Sequence, residues 1–218
     1  MSCGRERDRS RRPSRGQLDS DESPVDPLRM CREIRDFVDE NTILIGDGGD
    51  IVAQASKVVP VMAEGAWMDP GPLGTLGVGT AFALASKLAH PEKEVLCYYG
   101  DGAFAMTGFD METANRFNAP FLAVIGNNSA MNQIRCGQIM KYGEQRGNVG
   151  NKLGDVDFEH FPKLFGGHGE AVREAADIAP ALQRAREAVK STGKCAVVNI
   201  WVDPNEYAPG TKAQTMYK

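Results

Sequence analysis

Polar and charged residues dominate positions 1–25, and a periodic apolar pattern begins only after Pro27. Leu28, Cys31, Ile34, Phe37 and Val38 recur at helical spacing and predict an amphipathic first helix. Residues 42–45 read as a short buried strand running into Gly46-Asp47-Gly48-Gly49. A helix over 51–58 follows, then a glycine-rich stretch over 69–79. The small residues of 78–88 predict a helix packed closely on a sheet. Strands are expected over 95–99 and 121–126, with a helix over 108–117 between them. A strongly amphipathic helix over 178–189 precedes a last strand over 196–202.

Strands that are nearly continuous apolar runs, alternating with helices, predict a parallel sheet covered on both faces. The expected fold class is therefore α/β, a three-layer doubly wound parallel sheet. Three segments are expected: a disordered tail over 1–25, one domain over 26–202, and a tail over 203–218 that lacks periodicity. The first tail carries six arginines between Arg5 and Arg15, interrupted by Glu6 and Asp8. It has too little apolar surface to offset the entropy of ordering. The interspersed acids argue against a transit peptide.

Composition narrows the functional classes. A net charge of −4 argues against a general nucleic-acid role, which needs a basic surface. No apolar run approaches the ~20 residues of a membrane span, and no signal-peptide core is visible. The five cysteines are scattered without a C-x-x-C pair, so neither a disulfide framework nor a zinc site is expected. Reduced thiols and a cytoplasmic location are the plain reading. The 24 glycines cluster over 46–49, 71–79, 100–108 and 166–169, which suggests tight turns near a ligand.

In doubly wound sheets ligands sit beyond the carboxyl ends of the strands. Two such ends stand out, Gly100-Asp101-Gly102 and Asn127-Asn128. Each alone is often only a turn. Together, separated by 24 residues that hold a helix and a strand, they bring a carboxylate and a carboxamide to neighbouring strand ends. Magnesium prefers such hard oxygens and commonly keeps a phosphate in its shell. The helix expected after Gly102 would turn N–H groups toward the same anion. A metal-bridged diphosphate is the natural occupant. A generic dinucleotide fingerprint does not fit, because Ala105 stands where G-x-G-x-x-G needs its last glycine and Asp101 intrudes.

The stretch GDGAFAMTGFDMETANRFNAPFLAVIGNN resembles the thiamine-diphosphate signature of the acetolactate synthase, pyruvate decarboxylase and oxalyl-CoA decarboxylase superfamily. The resemblance implies that Asp101, Asn128 and the Ala130 carbonyl bind Mg2+. It also implies thiamine diphosphate contacts from Gly100, Asp101, Gly102, Ala103, Phe104, Asn128, Ala130 and Met131. Ala103 stands where the family often has Ser or Thr, which removes a hydroxyl contact and keeps the backbone N–H. A second match, Gly74-Thr75-Leu76-Gly77-Val78-Gly79, resembles the loop that grips the aminopyrimidine ring. There the Leu76 position wedges between the two rings, and Gly74 and Leu76 backbone groups bond the ring edge. Read by itself, this loop is equally a helix start with an apolar staple residue. Gly46-Asp47-Gly48-Gly49 resembles a strand end facing the diphosphate and substrate, although Asp47 or Asp50 would equally serve as helix caps, Asp50 above all. PLRMCREIRDF and KLFGGHGEAV extend the resemblance over roughly residue 26 to the C-terminus.

Within the superfamily the chain looks like the 2-hydroxyacyl-CoA lyase and oxalyl-CoA decarboxylase group. That implies a C–C bond lyase or carboligase acting on a small-molecule or acyl-CoA substrate. Met131-Asn132-Gln133-Ile134-Arg135 lacks the Trp that acetolactate synthases carry after the Asn-Asn, which counts against that alternative. The family's activating glutamate belongs to a separate pyrimidine-binding domain. Glu64 and Glu112 do not sit in its strand-end context. The resemblance therefore implies a partner domain or subunit, in a homo- or hetero-oligomer, that completes the site. A cofactor-binding remnant without its own activity is the other reading. The tail over 203–218 is implied to fold over the active-site mouth, where Tyr207, Lys212, Tyr217 and Lys218 would reach a substrate; a solvated terminus is the plainer expectation. His90, His160 and His168 read as structural, Trp67 as packing and Cys136 as apolar filler. Arg135 and Lys141 are weaker candidates for contact with an acidic substrate, and Met131 or Ile134 for the pocket lining.

Overall fold

Six strands carry the apolar runs: β1 (Thr42–Asp47), β2 (Trp67–Met68), β3 (Glu94–Gly100), β4 (Leu122–Asn127), β5 (His168–Val172) and β6 (Ala196–Trp201). They form one sheet in the order β2-β1-β3-β4-β6-β5, and every ladder is parallel. The computed structural model describes residues 15–206 and Ala208. Its helices are α1 (Arg15–Leu18), α2 (Pro27–Phe37), α3 (Asp50–Ala55), α4 (Gly79–Ala89), α5 (Asp101–Thr107), α6 (Met111–Arg116), α7 (Asn132–Tyr142), α8 (Glu144–Gly147) and α9 (Ile178–Thr192). No helix among the described residues is long and apolar enough to cross a membrane.

β1 and β4 are buried at every position, which is why they read as unbroken apolar runs rather than alternating ones. Successive side chains still go to opposite faces. Leu44, Leu96, Tyr98, Val124 and Val198 join one core with Met30 and Ile34 of α2, Ile51 of α3 and Leu182 of α9. Ile43, Ile45, Val95, Tyr99 and Ile125 join the other with Ala83 of α4, Phe104 of α5 and Met111 of α6. Helix, sheet and helix give the three layers expected.

Chain direction across the sheet reverses between β1 and β3. From β1 the chain steps outward to β2, then crosses back to β3 and on to β4. The two crossovers leave on opposite faces and open a crevice between the carboxyl ends of β1 and β3. Registers of Asp47 with Tyr99, and of Gly100 with Gly126, keep the three central strand tips level.

Several boundaries differ from expectation. A helix starts at Asp101 itself, directly off β3, and the helix expected over 108–117 is a 3-10 turn (Gly108–Asp110) leading into α6. Helix α7, which lacks a clear apolar period, and a 3-10 stretch over Phe158–Phe165, which has one, were not expected. Edge strands β2 and β5 were also missed as apolar runs; one has two residues and the other is half exposed. The expected disorder over 1–25 does not reach Val25. Arg15–Leu18 is a helical turn, and Val25 is fully buried and bridges Val202 in parallel. Residues 1–14 of that tail lie outside the described residues.

Asp26 caps α2 by accepting the Leu28 N–H at 2.8 Å. Burial raises its pKa from an ordinary 3.8 to about 6; the Leu28 N–H opposes this, and the nearby Glu206 and Glu22 charges add to it. The folded form thus holds this proton more tightly than the unfolded chain does. The stability it contributes is complete below pH 3.8 and is lost as pH rises through about 6. Asparagine caps equally well and does not titrate. Urea midpoints at pH 4.5 and 7 are therefore expected to converge in Asp26→Asn relative to the wild-type chain. An unchanged gap between the two midpoints would remove Asp26 as its source.

Candidate functional site

The crevice at the strand switch holds a cavity of about 560 Å³. Close approach of backbones shapes its floor. A Cβ on Gly48 would sit 3.0 Å from the Gly100 backbone N and 2.8 Å from Ile51 Cγ2, and Gly48 has φ +144°. Only glycine lets the β1 tip pass that near the β3 tip.

Asp101 is 3% exposed, and both its oxygens are held by backbone N–H groups. Oδ1 accepts from Gly102 at 2.7 Å, and Oδ2 accepts from Asn128 and Ala130, each at 3.1 Å. Burial pushes the carboxyl above its usual range, opposed by the surrounding backbone N–H groups, that of Gly102 first. The turn that wraps these amides around the acid is made by Ser129, at φ +54°. Its N–H returns to Asn127 Oδ1 at 3.2 Å. Asn128 Oδ1 is buried and has no hydrogen-bond partner among the described residues. A bridge pairs Ala130 with Lys152 through the Ser129 carbonyl and the Met131 N–H, so neither bridge bond uses the Ala130 carbonyl. A buried carboxylate beside an unmatched amide oxygen is an arrangement that costs stability until a cation joins it. The donor set fits a hard divalent ion.

Most residues singled out from the sequence meet here. Gly100, Asp101, Gly102 and Ala103 line the cavity from the β3–α5 junction, and Asn128, Ala130 and Met131 from the end of β4. Gly74 and Leu76 line it from the glycine-rich loop, and Ile134 from α7. Thr75 is exposed and does not line it. Phe104 turns its ring into the core, edge-on to Tyr99 at 5.2 Å and Phe158 at 5.4 Å, which leaves its backbone alone for a ligand.

Other expectations need correction. Asp50 is not a side-chain cap. Gly49 holds the N-cap position of α3 without a cap bond, while Asp50 Oδ2 accepts from Gln54 at 3.0 Å and Oδ1 from the Ala208 N–H at 3.0 Å. Asp47 is fully buried and accepts the Gly77 N–H at 3.0 Å and the Gly79 N–H at 2.7 Å. Arg135 is held by Asn148 at 2.7 Å and Asn132 at 3.3 Å, and the fully exposed Lys141 lies over the Tyr142 ring. Neither lines the cavity. Trp67 packs at an angle on Tyr98, as expected. Cys136 is buried, and His168 bonds Glu170. Tyr207, Lys212, Tyr217 and Lys218 lie outside the described residues. Gln133 was missed: its side chain fills the space above Gly49 and lines the cavity. Its signals were the small residue at Gly49 and its place in the stretch that follows the Asn-Asn.

Comparisons with known proteins concern the domain as a whole. Residues 47–200 match the family described as thiamine pyrophosphate enzyme, C-terminal TPP binding domain. The acetolactate synthase large subunit IlvG of Mycobacterium tuberculosis is 33% identical over 195 residues, 89% of this chain and 35% of that protein. The 2-hydroxyacyl-CoA lyase 2 of Bos taurus is 34% identical over 190 residues, 87% of this chain and 30% of that protein. Among solved structures, the Rhodococcus jostii RHA1 thiamine diphosphate-dependent 4-hydroxybenzoylformate decarboxylase superposes with a TM-score of 0.74 at 22% identity, covering 84% of this chain and 34% of that one. That likeness concerns the fold. The chain spans about a third of the length of these relatives. On the match over 47–200, the chain belongs to the thiamine pyrophosphate enzymes and corresponds to their C-terminal TPP-binding domain.

Proposed function

We propose that this domain holds thiamine diphosphate through a magnesium ion and supplies one half of a lyase or carboligase active site. The observation that carries the reading is the partnerless buried Asn128 Oδ1 beside the amide-clamped Asp101. Asp101, Asn128 and the Ala130 carbonyl would hold the ion, and the Ala103 and Phe104 backbone N–H groups would face the diphosphate. Leu76 would support the bent cofactor from the loop side, with the backbone of Gly74 and Leu76 on the ring edge. Bound thiamine diphosphate supplies an electron sink that lets a carbon–carbon bond beside a carbonyl break or form. Met131 and Ile134 would keep the reacting end of the cavity apolar and exclude water.

Activation of the cofactor would come from a glutamate on a pyrimidine-binding domain, carried by another chain or another region of the same protein. Two observations support a missing neighbour. The relatives are about three times longer, and Phe109 (66% exposed) presents apolar surface near the cofactor loop. Phe109 follows closely on Thr107, which bonds that loop. An oligomer in a reducing, cytoplasmic compartment is the reading we favour, and the four buried free cysteines among the described residues support it. The tail beyond Val202 begins at the cavity: Asn132 and Asp50 hold the Pro204 carbonyl and the Ala208 N–H, which supports a role at the mouth.

The favoured substrate class is a 2-hydroxyacyl-CoA, cleaved to an aldehyde or ketone plus formyl-CoA, or formed in reverse. Acetolactate synthesis is the second reading, favoured by the IlvG identity and opposed by Ile134 where a Trp would stand. Reconstitution with a pyrimidine-binding domain distinguishes them. Aldehyde release from a 2-hydroxyacyl-CoA is the expected result, and acetolactate from pyruvate would replace it with the second reading. Turnover by the 218-residue chain alone would overturn the claim that its site is incomplete.

A further inference from the structure

We propose that Asp47, together with Thr107, is a positioning residue that sets how far Leu76 projects into the cofactor cavity. This rests on the reading of that cavity given above and extends it to a residue outside the metal cluster. The Leu76 turn has little to hold it in place by itself. Gly74 and Gly77 sit at φ +61° and +83°, and Leu76 is only partly buried. Its anchorage comes from elsewhere. The Asp47 carboxylate, at the tip of β1, accepts the Gly77 N–H with Oδ1 and the Gly79 N–H with Oδ2. From the opposite side Thr107 Oγ1 donates to the Gly77 carbonyl at 2.9 Å. The peptide groups on both sides of Gly77 are therefore held, one residue beyond Leu76.

A buried carboxylate is costly unless its charge is matched. No ion pair to Asp47 forms among the described residues, and the two loop amides are what its oxygens accept from. Burial pushes its carboxyl upward, and those amides oppose the shift. A helix cap would need only one of these bonds. Bridging two amides two residues apart fixes the turn between α4 and the loop, and so the direction of Leu76. A Cβ at Gly79 would come within 2.8 Å of Asp47 Cβ, which shows how closely the acid is pressed against the chain it holds.

Two variants and two ligands test the proposal on the full chain. Asp47→Asn keeps the shape but turns an N–H2 toward one loop amide. Thr107→Val removes the other tether and leaves the buried acid alone, so it carries the test if the asparagine variant does not fold. Without ligand, amide hydrogen exchange at Gly77 and Gly79 is expected to accelerate at least about ten-fold in Asp47→Asn, and at Gly77 in Thr107→Val. Unchanged exchange in both would overturn the positioning role whatever the cofactor does. With magnesium, the affinity for thiamine diphosphate is expected to fall about ten-fold in either variant, while that for inorganic pyrophosphate stays within about two-fold. Pyrophosphate reports the metal site alone, so equal loss of both ligands would reassign Asp47 to general structure. A wild-type chain that binds thiamine diphosphate no more tightly than pyrophosphate would overturn ring recognition by this loop. One that binds neither would overturn the magnesium-diphosphate reading and leave the exchange result standing.

Discussion

Asp101→Asn is expected to weaken magnesium-dependent binding of thiamine diphosphate by about a hundred-fold or more while the domain stays folded. Replacing partners of metal ligands typically costs 10–100-fold, and a charged ligand itself should lie at or beyond the top of that range. Asparagine is the milder choice: Asp101 accepts three backbone N–H groups, and an amide oxygen in place of Oδ2 keeps those of Asn128 and Ala130 while its N–H2 faces only that of Gly102. Alanine would leave all three without an acceptor, each costing about 1–3 kcal/mol, and would mix metal loss with unfolding. Asn128→Ala supplies the complementary result. The partnerless Oδ1 makes no bond in the ligand-free domain, so its removal should change stability by less than about 1 kcal/mol. Magnesium affinity should nonetheless fall as steeply as in Asp101→Asn. Calorimetric titration and urea unfolding on the same samples measure both quantities. A large stability loss without a change in affinity would mean that Asn128 serves the fold and not an ion.

The largest stability effect is expected from Phe104→Ala. Phe104 sits one turn into α5 from Asp101, is 2% exposed, and makes edge-to-face contacts with Tyr99, Phe158 and Phe161. Truncating a buried phenylalanine costs about 3–5 kcal/mol, with ring pairs adding to the loss. The neighbours would not close the gap easily. Tyr99 is fixed within β3, and Gly108 already lies against the Phe104 ring, where even a Cβ would come within 2.8 Å. Urea unfolding should show a loss near the top of that range. A loss under about 1.5 kcal/mol would mean that α5 can shift to refill the space. It would then no longer serve as a rigid mount for Asp101.

Much of the fold could be read from the chain because the central strands are buried on both faces. Short unbroken apolar runs such as those of β3 and β4, bounded by turn residues, fit a strand covered on both sides. The nearness of the two proposed metal residues could be read for a related reason. Asp101 and Asn128 each follow a central strand directly, and parallel pairing in register, Gly100 opposite Gly126, carries both to the same level. What escaped reading depends on contacts distant in sequence. Asp47 looked like a cap because its partners, Gly77 and Gly79, lie about thirty residues on and announce themselves only as glycines. Asp50 looked like a cap for the same reason, and its partner at Ala208 is still more remote. Edge strand β5 pairs on one side only and is half exposed, so it carries no apolar run to find. Helix α7 has no apolar stripe turned to the core: Ile134, Met140 and Tyr142 are exposed, and Asn132 and Cys136 are its only buried positions.

The proposed function rests on one shared ion that would join the two strand tips to the cofactor. Crystals of the chain grown with manganese and thiamine diphosphate, with the ion located by its anomalous scattering, test this most directly. The expected result is a manganese within about 2.5 Å of Asp101 and Asn128 side-chain oxygens and of the diphosphate. A diphosphate bound elsewhere, or an ion that touches neither side chain, would contradict it.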